Sequence, residues 1–308
     1  MWKQCIELYE ALDSAYVNGE SILSLLKARG AQNAECETVA QGGMRTDFVS
    51  ALIRGTAGRS VGGPAPTLGI VGRLGGLGAR PEITGFVSDG DGALCALAAT
   101  LKLLDMARNG DRLKGDVTVC THICPNAPTV EHSPVRLMGS PIRDDILNAL
   151  ETQQQADAIL SIDTTKGNRI LCKRGFAITP TVKEGYILRV SDSLLDIMSR
   201  VTGCLPAVLP ITMQDITPYG NGIYHINSIL QPSVTTAVPV VGVAITTEVP
   251  VAGCATGATH ISDVEAAARF VVETAKDFTS GLCSFYNAEE FSRLQALYGD
   301  MKHLQRIQ

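Results

Sequence analysis

Six short apolar runs separated by helical segments constrain the fold more than any other feature of the sequence. They are rich in β-branched residues and too short for helices, which is typical of buried strands. Crossovers between such strands are right-handed and cover the sheet with helices on both faces. The sequence therefore predicts an α/β fold, a three-layer αβα sandwich with a mostly parallel sheet. The runs are TLGIVG (67–72), ITGFVS (83–88), DVTVCT (116–121), ADAILSID (156–163), AVLPIT (207–212) and VPVVGVAIT (238–246).

The intervals between these runs carry helix signals. Leucines recur at helical spacing over residues 94–104, and Ser140 with Pro141 supplies the N-cap and first position of a helix that ends near Gln154. The segment 179–190 has the character of an antiparallel edge strand. These segments supply the helical layers and one edge of the predicted sheet.

The first part of the chain is predicted to be helical. Helical segments cover 4–15 and 20–29, and Gly30 ends the second because its missing Cβ suits a left-handed C-cap. We therefore predict an N-terminal helical extension packed on the core over residues 1–60. Residues 61–308 are predicted to form a single α/β domain.

Composition excludes several classes of partner. The formal net charge is −5, and the Lys and Arg residues are scattered, so neither nucleic acid nor an anionic membrane is an expected partner. No stretch approaches the roughly 20 apolar residues that span a bilayer.

Nine cysteines without a signal peptide indicate free thiols, and a cytoplasmic location is predicted. Apolar helical segments such as 288–305 leave a homo-oligomer as an open alternative.

Polar residues follow several predicted strands at the edge where open α/β sheets bind ligands. Carboxylate and imidazole side chains in this mixture suit zinc, manganese or another divalent metal. The predicted metal ligands are Asp89, Asp91, Asp163 and His260. Other residues are predicted to bind a substrate, because arginine holds a carboxylate through two hydrogen bonds. They are Arg45, Arg73 and, in the turn TPYGNG, Asn221.

Other interpretations of these motifs stay open. Asp89 and Asp91 could instead accept hydrogen bonds from the free N–H groups of the helix that follows. Their flanking glycines favour either an unusual backbone conformation or the close approach of a ligand. The glycine-rich segment 71–81 is similar to a dinucleotide loop, but its spacing is not G-x-G-x-x-G and it leaves no room for the required helix.

A second metal arrangement is also compatible with the sequence. Cys120, His122 and Cys124 alternate along one strand, so they share a face and could ligate zinc by themselves. Core cysteines in a covered strand explain the same pattern. The paired motifs of zinc deaminases are absent, which disfavours that chemistry.

The order of these pieces resembles the co-catalytic zinc aminopeptidases and carboxypeptidases of clan MH. SDGDGALCALAATLKLL resembles their D-D-x-S-G segment and helix, and GATHISDVEAAARFVVE resembles their last histidine and C-terminal helix. The resemblance covers about residues 67–275 and implies a phosphorylase/hydrolase-like fold. The whole chain is identified as a member of a prokaryotic family named domain of unknown function 1177, a name that implies no activity.

The sequence departs from the peptidase pattern at the metal ligands. GRLGG stands where these peptidases have His-x-Asp, and Ser88 stands where they have a bridging aspartate. No acid stands at their paired glutamates, and the nearest is Glu131. A two-zinc mechanism needs those groups, so the resemblance implies at most one metal here. His122 or Glu131 would then be the catalytic general base for the metal-bound water.

Two function classes follow from these observations. The first is a metal-dependent, hydrolase-like protein that acts on an amide or peptide-like small molecule. The alternative is a catalytically degenerate, metal-free protein with the same fold that binds a small metabolite or short peptide. The metal content of the purified chain discriminates between them.

Overall fold

The computed structural model describes residues 1–14, 16–73, 85–131, 137–251 and 258–306. Its strands are β1 (Asn33–Gln41), β2 (Met44–Ile53), β3 (Leu68–Gly72), β4 (Val117–Ile123), β5 (Thr129–Val130), β6 (Leu137–Met138), β7 (Ala158–Thr164), β8 (Gly175–Ile178), β9 (Val182–Lys183), β10 (Tyr186–Ile187) and β11 (Val240–Thr246). Its helices are α1 (Trp2–Asp13), α2 (Gly19–Ala28), α3 (Asp91–Arg108), α4 (Asp144–Thr152), α5 (Asp192–Thr202), α6 (Ile261–Thr279) and α7 (Ala288–Tyr298). None of these helices is long and apolar enough to cross a membrane.

One large sheet organises the chain. Its order is β1-β2-β4-β3-β7-β11-β9-β10, and β8 pairs with β11 beside this path. The central strands β4, β3, β7 and β11 run parallel to their neighbours, whereas β2, β8 and β9 join antiparallel. The predicted mostly parallel α/β sheet is therefore confirmed.

Helices cover both faces of this sheet. On one face, α3 packs against β3 and against the helices α1 and α6. On the other face, α4 packs against β4 over a small cluster that includes Cys120 and Leu147. Val119, the neighbour of Cys120 in β4, belongs instead to the main core under α3, because successive side chains of a strand point to opposite faces. The chain forms the expected three layers.

Residues 33–53 differ from the predicted helical extension. The two predicted N-terminal helices are present as α1 and α2, but β1 and β2 follow as an antiparallel hairpin, and β2 joins the main sheet beside β4. Gly42 and Gly43 form its two-residue turn with φ angles of 59° and 83°. A turn of this kind needs two residues with positive φ, and the Gly-Gly pair was the signal that the helical prediction missed. The boundary at residue 60 stays a prediction.

Two predicted strands are not strands in the part of the chain that the structure describes. In the run 83–88, residues 83 and 84 lie outside the described residues, and Ser88–Gly90 forms a 3-10 turn. Both edges of β3 are already paired with β4 and β7, so no edge remains for another strand beside it. In the run 207–212, only Val208 forms an isolated bridge, with Ile178.

Candidate functional site

The candidate site lies where the strand order of the sheet reverses. The chain passes from β3 to β4 on one side of β3 and returns to β7 on the other side. A crevice at the carboxyl ends of such strands is where α/β sheets bind ligands. Arg73 directly follows β3, and Asp163 is the next-to-last residue of β7. Both residues therefore stand at the predicted ligand-binding edge.

A cleft of 460 Å³ opens at this edge, and we call it the switch-point cleft. Its wall includes two of the predicted metal ligands together with residues that the sequence did not single out. The polar residues of the lining are Asp89, Ser140, Asp144, Asp163, Thr164, Thr165, Lys166, Tyr219, Asn227 and Ser228. Carboxylates outnumber the single ammonium group in this lining, so the cleft offers an acidic surface to a ligand.

Glycine allows the start of α3 to reach the sheet beside this cleft. A Cβ on Gly92 would lie 2.5 Å from the Ile162 carbonyl oxygen and 2.6 Å from that of Arg73. No side chain fits there, because both neighbours are backbone atoms. The glycine therefore brings the first turn of α3 against the ends of β3 and β7. At Gly92 the close approach is therefore one of backbone against backbone.

The Asp91 carboxylate accepts hydrogen bonds from the side chains of Lys166 and Thr259 and does not act as the cap of α3. The N-cap residue Gly90 makes no side-chain cap hydrogen bond. Lys166 Nζ donates to Asp91 Oδ2 at 2.8 Å, and Thr259 Oγ1 donates to Oδ1 at 2.6 Å. Asp91 is fully buried and Lys166 is only 4% exposed. Burial raises the pKa of Asp91, and the Lys166 charge opposes that rise.

Asp163 is held by two hydrogen bonds at the end of β7. Ser228 Oγ donates to Oδ2 at 2.7 Å, and the Thr164 N–H donates to Oδ1 at 2.7 Å. Burial raises the pKa of Asp163, while the positive charge of Arg73 and the Ser228 hydrogen bond act against the rise. A buried carboxylate with a raised pKa that lines a cleft is suited to exchange protons with a ligand.

Arg73 is buried in a polar cluster with Asn148 and Glu151 of α4. Its Nη1 donates to Asn148 Oδ1 at 2.6 Å and to Glu151 Oε2 at 2.5 Å. The side chain is 1% exposed, so Arg73 cannot extend into solvent as a free carboxylate clamp. The predicted substrate-binding arginine lies next to the cleft, where its charge acts on Asp163.

His122 belongs to this buried cluster. Its Nδ1 lies 3.8 Å from Glu151 Oε1, and its ring packs against Phe48 with centroids 5.5 Å apart. Burial, followed by repulsion from Arg73, lowers the pKa of His122 to about 3. Burial raises the pKa of Glu151 to about 7. The imidazole is therefore neutral near pH 7, and it is not among the described residues that line the cleft.

The cysteines on either side of His122 are hydrogen-bonded to the backbone. Cys120 Sγ donates to the Leu150 carbonyl oxygen at 3.8 Å, and Cys124 Sγ donates to that of Arg45 at 3.5 Å. Burial raises the pKa of Cys124 to about 11, and it also raises that of Cys120. Both thiols are therefore protonated near neutral pH, and each donates to a backbone carbonyl oxygen. The core-cysteine interpretation fits these contacts.

The comparisons with known proteins agree with this architecture. A family model described as "Protein of unknown function (DUF1177)" matches residues 37–308. The chain belongs to the DUF1177 family. The family assignment made from the sequence is therefore confirmed. No curated protein sequence matches the chain.

Two solved structures are similar in fold to this DUF1177 protein. The bottromycin maturation enzyme BotP in complex with Mn superposes with a TM-score of 0.50 at 14% identity, over 90% of this chain and 70% of that one. The cytosol aminopeptidase from Coxiella burnetii superposes with a TM-score of 0.50 at 13% identity, over 89% of this chain and 68% of that one. The fold is hydrolase-like, as the resemblance to zinc peptidases implied.

The remaining predicted residues lie outside the switch-point cleft. His260 is exposed at the N-cap of α6, with its Nδ1 3.7 Å from Asp263 Oδ2. Glu131 is exposed and follows the short strand β5. Arg45 is exposed in β2 and lines a separate pocket of 310 Å³. Asn221 organises its own turn by donating to Thr217 Oγ1 at 2.8 Å.

The predicted metal ligands of this DUF1177 protein do not fit a preformed divalent centre. Both carboxylate oxygens of Asp91 are engaged, one of them by an ammonium group, and both oxygens of Asp163 accept hydrogen bonds. The His260 side chain is half exposed. In the parts of the chain that the structure describes, no three His, Cys, Asp or Glu side chains form a group that could hold a metal.

The sequence did not single out Lys166, which is central to the cleft. It stands three residues after Asp163 in the run TTKGN, at the same strand end that pointed to the aspartate. A lysine in a loop is ordinarily solvated, so its type gave no reason to expect burial. Its position just after the end of a predicted strand was the one feature of the sequence that indicated a place in the cleft. The partner Asp91 is distant in sequence, and only the fold brings the two together.

Proposed function

We propose that this DUF1177 protein hydrolyses an amide bond of a small, peptide-like molecule bound in the switch-point cleft. The observation that carries the proposal is a buried carboxylate, Asp163, with a raised pKa, in the same cleft as the buried ammonium of Lys166. A base poised toward neutral pH and a fixed positive charge are the two groups that amide hydrolysis needs near its carbonyl. The hydrolase-like fold supports the same reaction class.

The proposed reaction uses these two groups in turn. Asp163 accepts a proton from water as the water oxygen bonds to the amide carbonyl carbon. The developing negative charge falls on the carbonyl oxygen. As the C–N bond breaks, Asp163 returns the proton to the leaving nitrogen, which departs as an amine, and the acyl part leaves as a carboxylic acid. The carboxylate is then regenerated, so atoms and charge balance.

Lys166 would stabilise the oxyanion. Two of its three N–H bonds have acceptors among the described residues, Asp91 Oδ2 at 2.8 Å and the Ala258 carbonyl oxygen at 3.1 Å. The third is left for a substrate oxygen. A fixed donor of this kind in a site shielded from water contributes on the order of 3 kcal/mol to transition-state stabilisation. Because Lys166 is already fixed, it would not need to reorganise during the reaction.

The decisive experiment compares the wild type with Asp163→Asn on a library of dipeptides and N-acyl amino acids. Asn keeps the shape of the side chain but cannot accept the proton, so turnover should fall by at least about a hundredfold. Asp196→Asn, at an acid of α5 that does not line the cleft, is the matched control and should keep full activity. Circular dichroism checks that both variants fold. Full activity in Asp163→Asn would exclude this base.

A metal-dependent form of the same hydrolysis is the second candidate, because one relative of similar fold is a maturation enzyme in complex with Mn. Its proposed ligands are Asp89, Asp91, Asp163 and His260, with zinc or manganese as the ion, and this candidate requires Lys166 to move away from Asp91 when the ion binds. Metal analysis of protein purified without chelator tests it. Ligand binding in the cleft without turnover, in wild type and Asp163→Asn alike, would instead support the metal-free binding protein.

A further inference from the structure

The cleft carries its own positive charge at a fixed position. Asp91 has no exposed surface, and a carboxylate buried in this way without a partner is strongly destabilising. Lys166 supplies the compensating charge at 2.8 Å, and Thr259 satisfies the other oxygen at 2.6 Å. The lysine therefore occupies the place beside Asp91 that a metal cation would need.

The backbone holds Lys166 in this place against a local cost. Its φ is 49°, a left-handed conformation that residues other than glycine rarely adopt. The Lys166 N–H donates to the Ile245 carbonyl oxygen of β11, and the Gly167 N–H donates to Thr247 Oγ1 at 2.7 Å. A Cβ on Gly167 would lie 2.3 Å from the Val249 carbonyl oxygen. Strained backbone of this kind persists where its surroundings over-determine it.

We infer that Lys166 is the resident cation of the switch-point cleft and that it excludes a divalent metal from Asp91. A metal ion bound to Asp91 would stand within a few ångströms of the ammonium nitrogen, and two positive charges at that separation repel strongly in a buried site. The inference goes beyond the proposed hydrolysis and does not depend on it, because its readout is metal binding. It predicts that removal of the lysine creates metal affinity.

The test is a titration of the full chain with MnCl₂ and with ZnCl₂ by isothermal titration calorimetry, after treatment with chelator and gel filtration. The wild type should take up no Asp91-dependent ion. Lys166→Ala should gain one site, at least about tenfold tighter than any uptake by the wild type. Lys166→Ala/Asp91→Asn should lose that site. Lys183→Ala removes a lysine that pairs with Glu184 at 2.7 Å outside the cleft, and it should gain nothing.

Each outcome decides the inference. Uptake of one ion by the wild type that Asp91→Asn abolishes would overturn it, and so would a folded Lys166→Ala that gains no site. Should Lys166→Ala fail to fold, Lys166→Gly is the second variant, because glycine accepts the left-handed backbone without strain. Thermal unfolding of that variant with and without MnCl₂ gives the same answer, since a new site at Asp91 raises its melting temperature with MnCl₂ and Lys166→Gly/Asp91→Asn should lose that rise. None of these measurements uses catalytic activity, so their outcome is independent of the proposed hydrolysis.

Discussion

Arg73 Nη1 lies 2.5 Å from Glu151 Oε2, and neither side chain has appreciable contact with solvent. The pair joins Arg73, directly after β3, to the last turn of α4, so it connects the helix to the edge of the sheet that carries the cleft. Breaking a buried ion pair leaves a charge without a partner, which is far more destabilising than losing an exposed pair.

Removal of the Arg73 charge should therefore destabilise the fold. We expect Arg73→Met to lower the free energy of unfolding by about 3–5 kcal/mol, measured by urea denaturation. The double variant Arg73→Met/Glu151→Leu should recover part of this loss, because it buries no unpaired charge. The control is Arg189→Met, which breaks an exposed pair with Glu290. Equal losses in Arg73→Met and the control would show that the buried pair contributes nothing.

His122 and Glu151 affect stability in opposite directions as the pH changes. The pKa of His122 is lowered from 6.5 to about 3 by burial, so between these values the unfolded chain binds more protons and stability rises with pH. The pKa of Glu151 is raised from 4.5 to about 7 by burial, so between these values the folded chain binds more protons and stability falls as pH rises. The two contributions oppose each other where the windows overlap.

Replacement of His122 should leave the contribution of Glu151 to the pH dependence of stability unopposed. In His122→Gln, the free energy of unfolding should change between pH 4.5 and 6.5 by about 1.4 kcal/mol per pH unit relative to the wild type. The wild type gains stability over the variant as the pH rises through this window. Urea denaturation at three pH values measures the difference. A constant difference would mean that His122 titrates normally in the folded chain.

Ser228 should tune the proton affinity of Asp163. Its hydrogen bond at 2.7 Å stabilises the charged carboxylate, so Ser228→Ala should raise the pKa of Asp163 further. Turnover that needs ionised Asp163 should then begin at higher pH, and the acid limb of the pH–rate profile should shift upward. The control is Ser233→Ala, because Ser233 Oγ donates to the Leu230 carbonyl oxygen outside the cleft. An unshifted acid limb would argue against Asp163 as the base.

Gly92 should not tolerate a side chain. A Cβ there would lie 2.5 Å from a backbone oxygen of β7 and 2.6 Å from that of Arg73, so α3 would have to move away from the sheet. We expect Gly92→Ala to destabilise the fold by at least about 3 kcal/mol in thermal or urea unfolding. Gly110 lies beyond the other end of α3, and a Cβ there meets no atom within 4 Å. Gly110→Ala should therefore be destabilised only by the positive φ of 89°. Similar losses in both variants would contradict the packing argument.

Most of the central strands could be predicted from local patterns of apolar and β-branched residues. The apolar runs at 67–72, 116–121, 156–163 and 238–246 became β3, β4, β7 and β11, because their β-branched residues fit strands buried on both faces. The run at 83–88 has the same composition, yet the described part of it is not a strand, because strand formation also needs an unpaired neighbouring edge. The β1–β2 hairpin depended on two adjacent glycines, a signal as short as the turn itself.

The sheet, its helical layers and the edge at which polar residues gather could be predicted from the sequence, because strand and helix periods are local properties of the chain. The sequence placed Asp89 and Asp163 at that edge, and both line the cleft. The pairing of Asp91 with Lys166 and the burial of His122 beside Glu151 depend on the tertiary fold. These partners are far apart in sequence, and burial shifts the pKa of a group only after the fold has removed water from it.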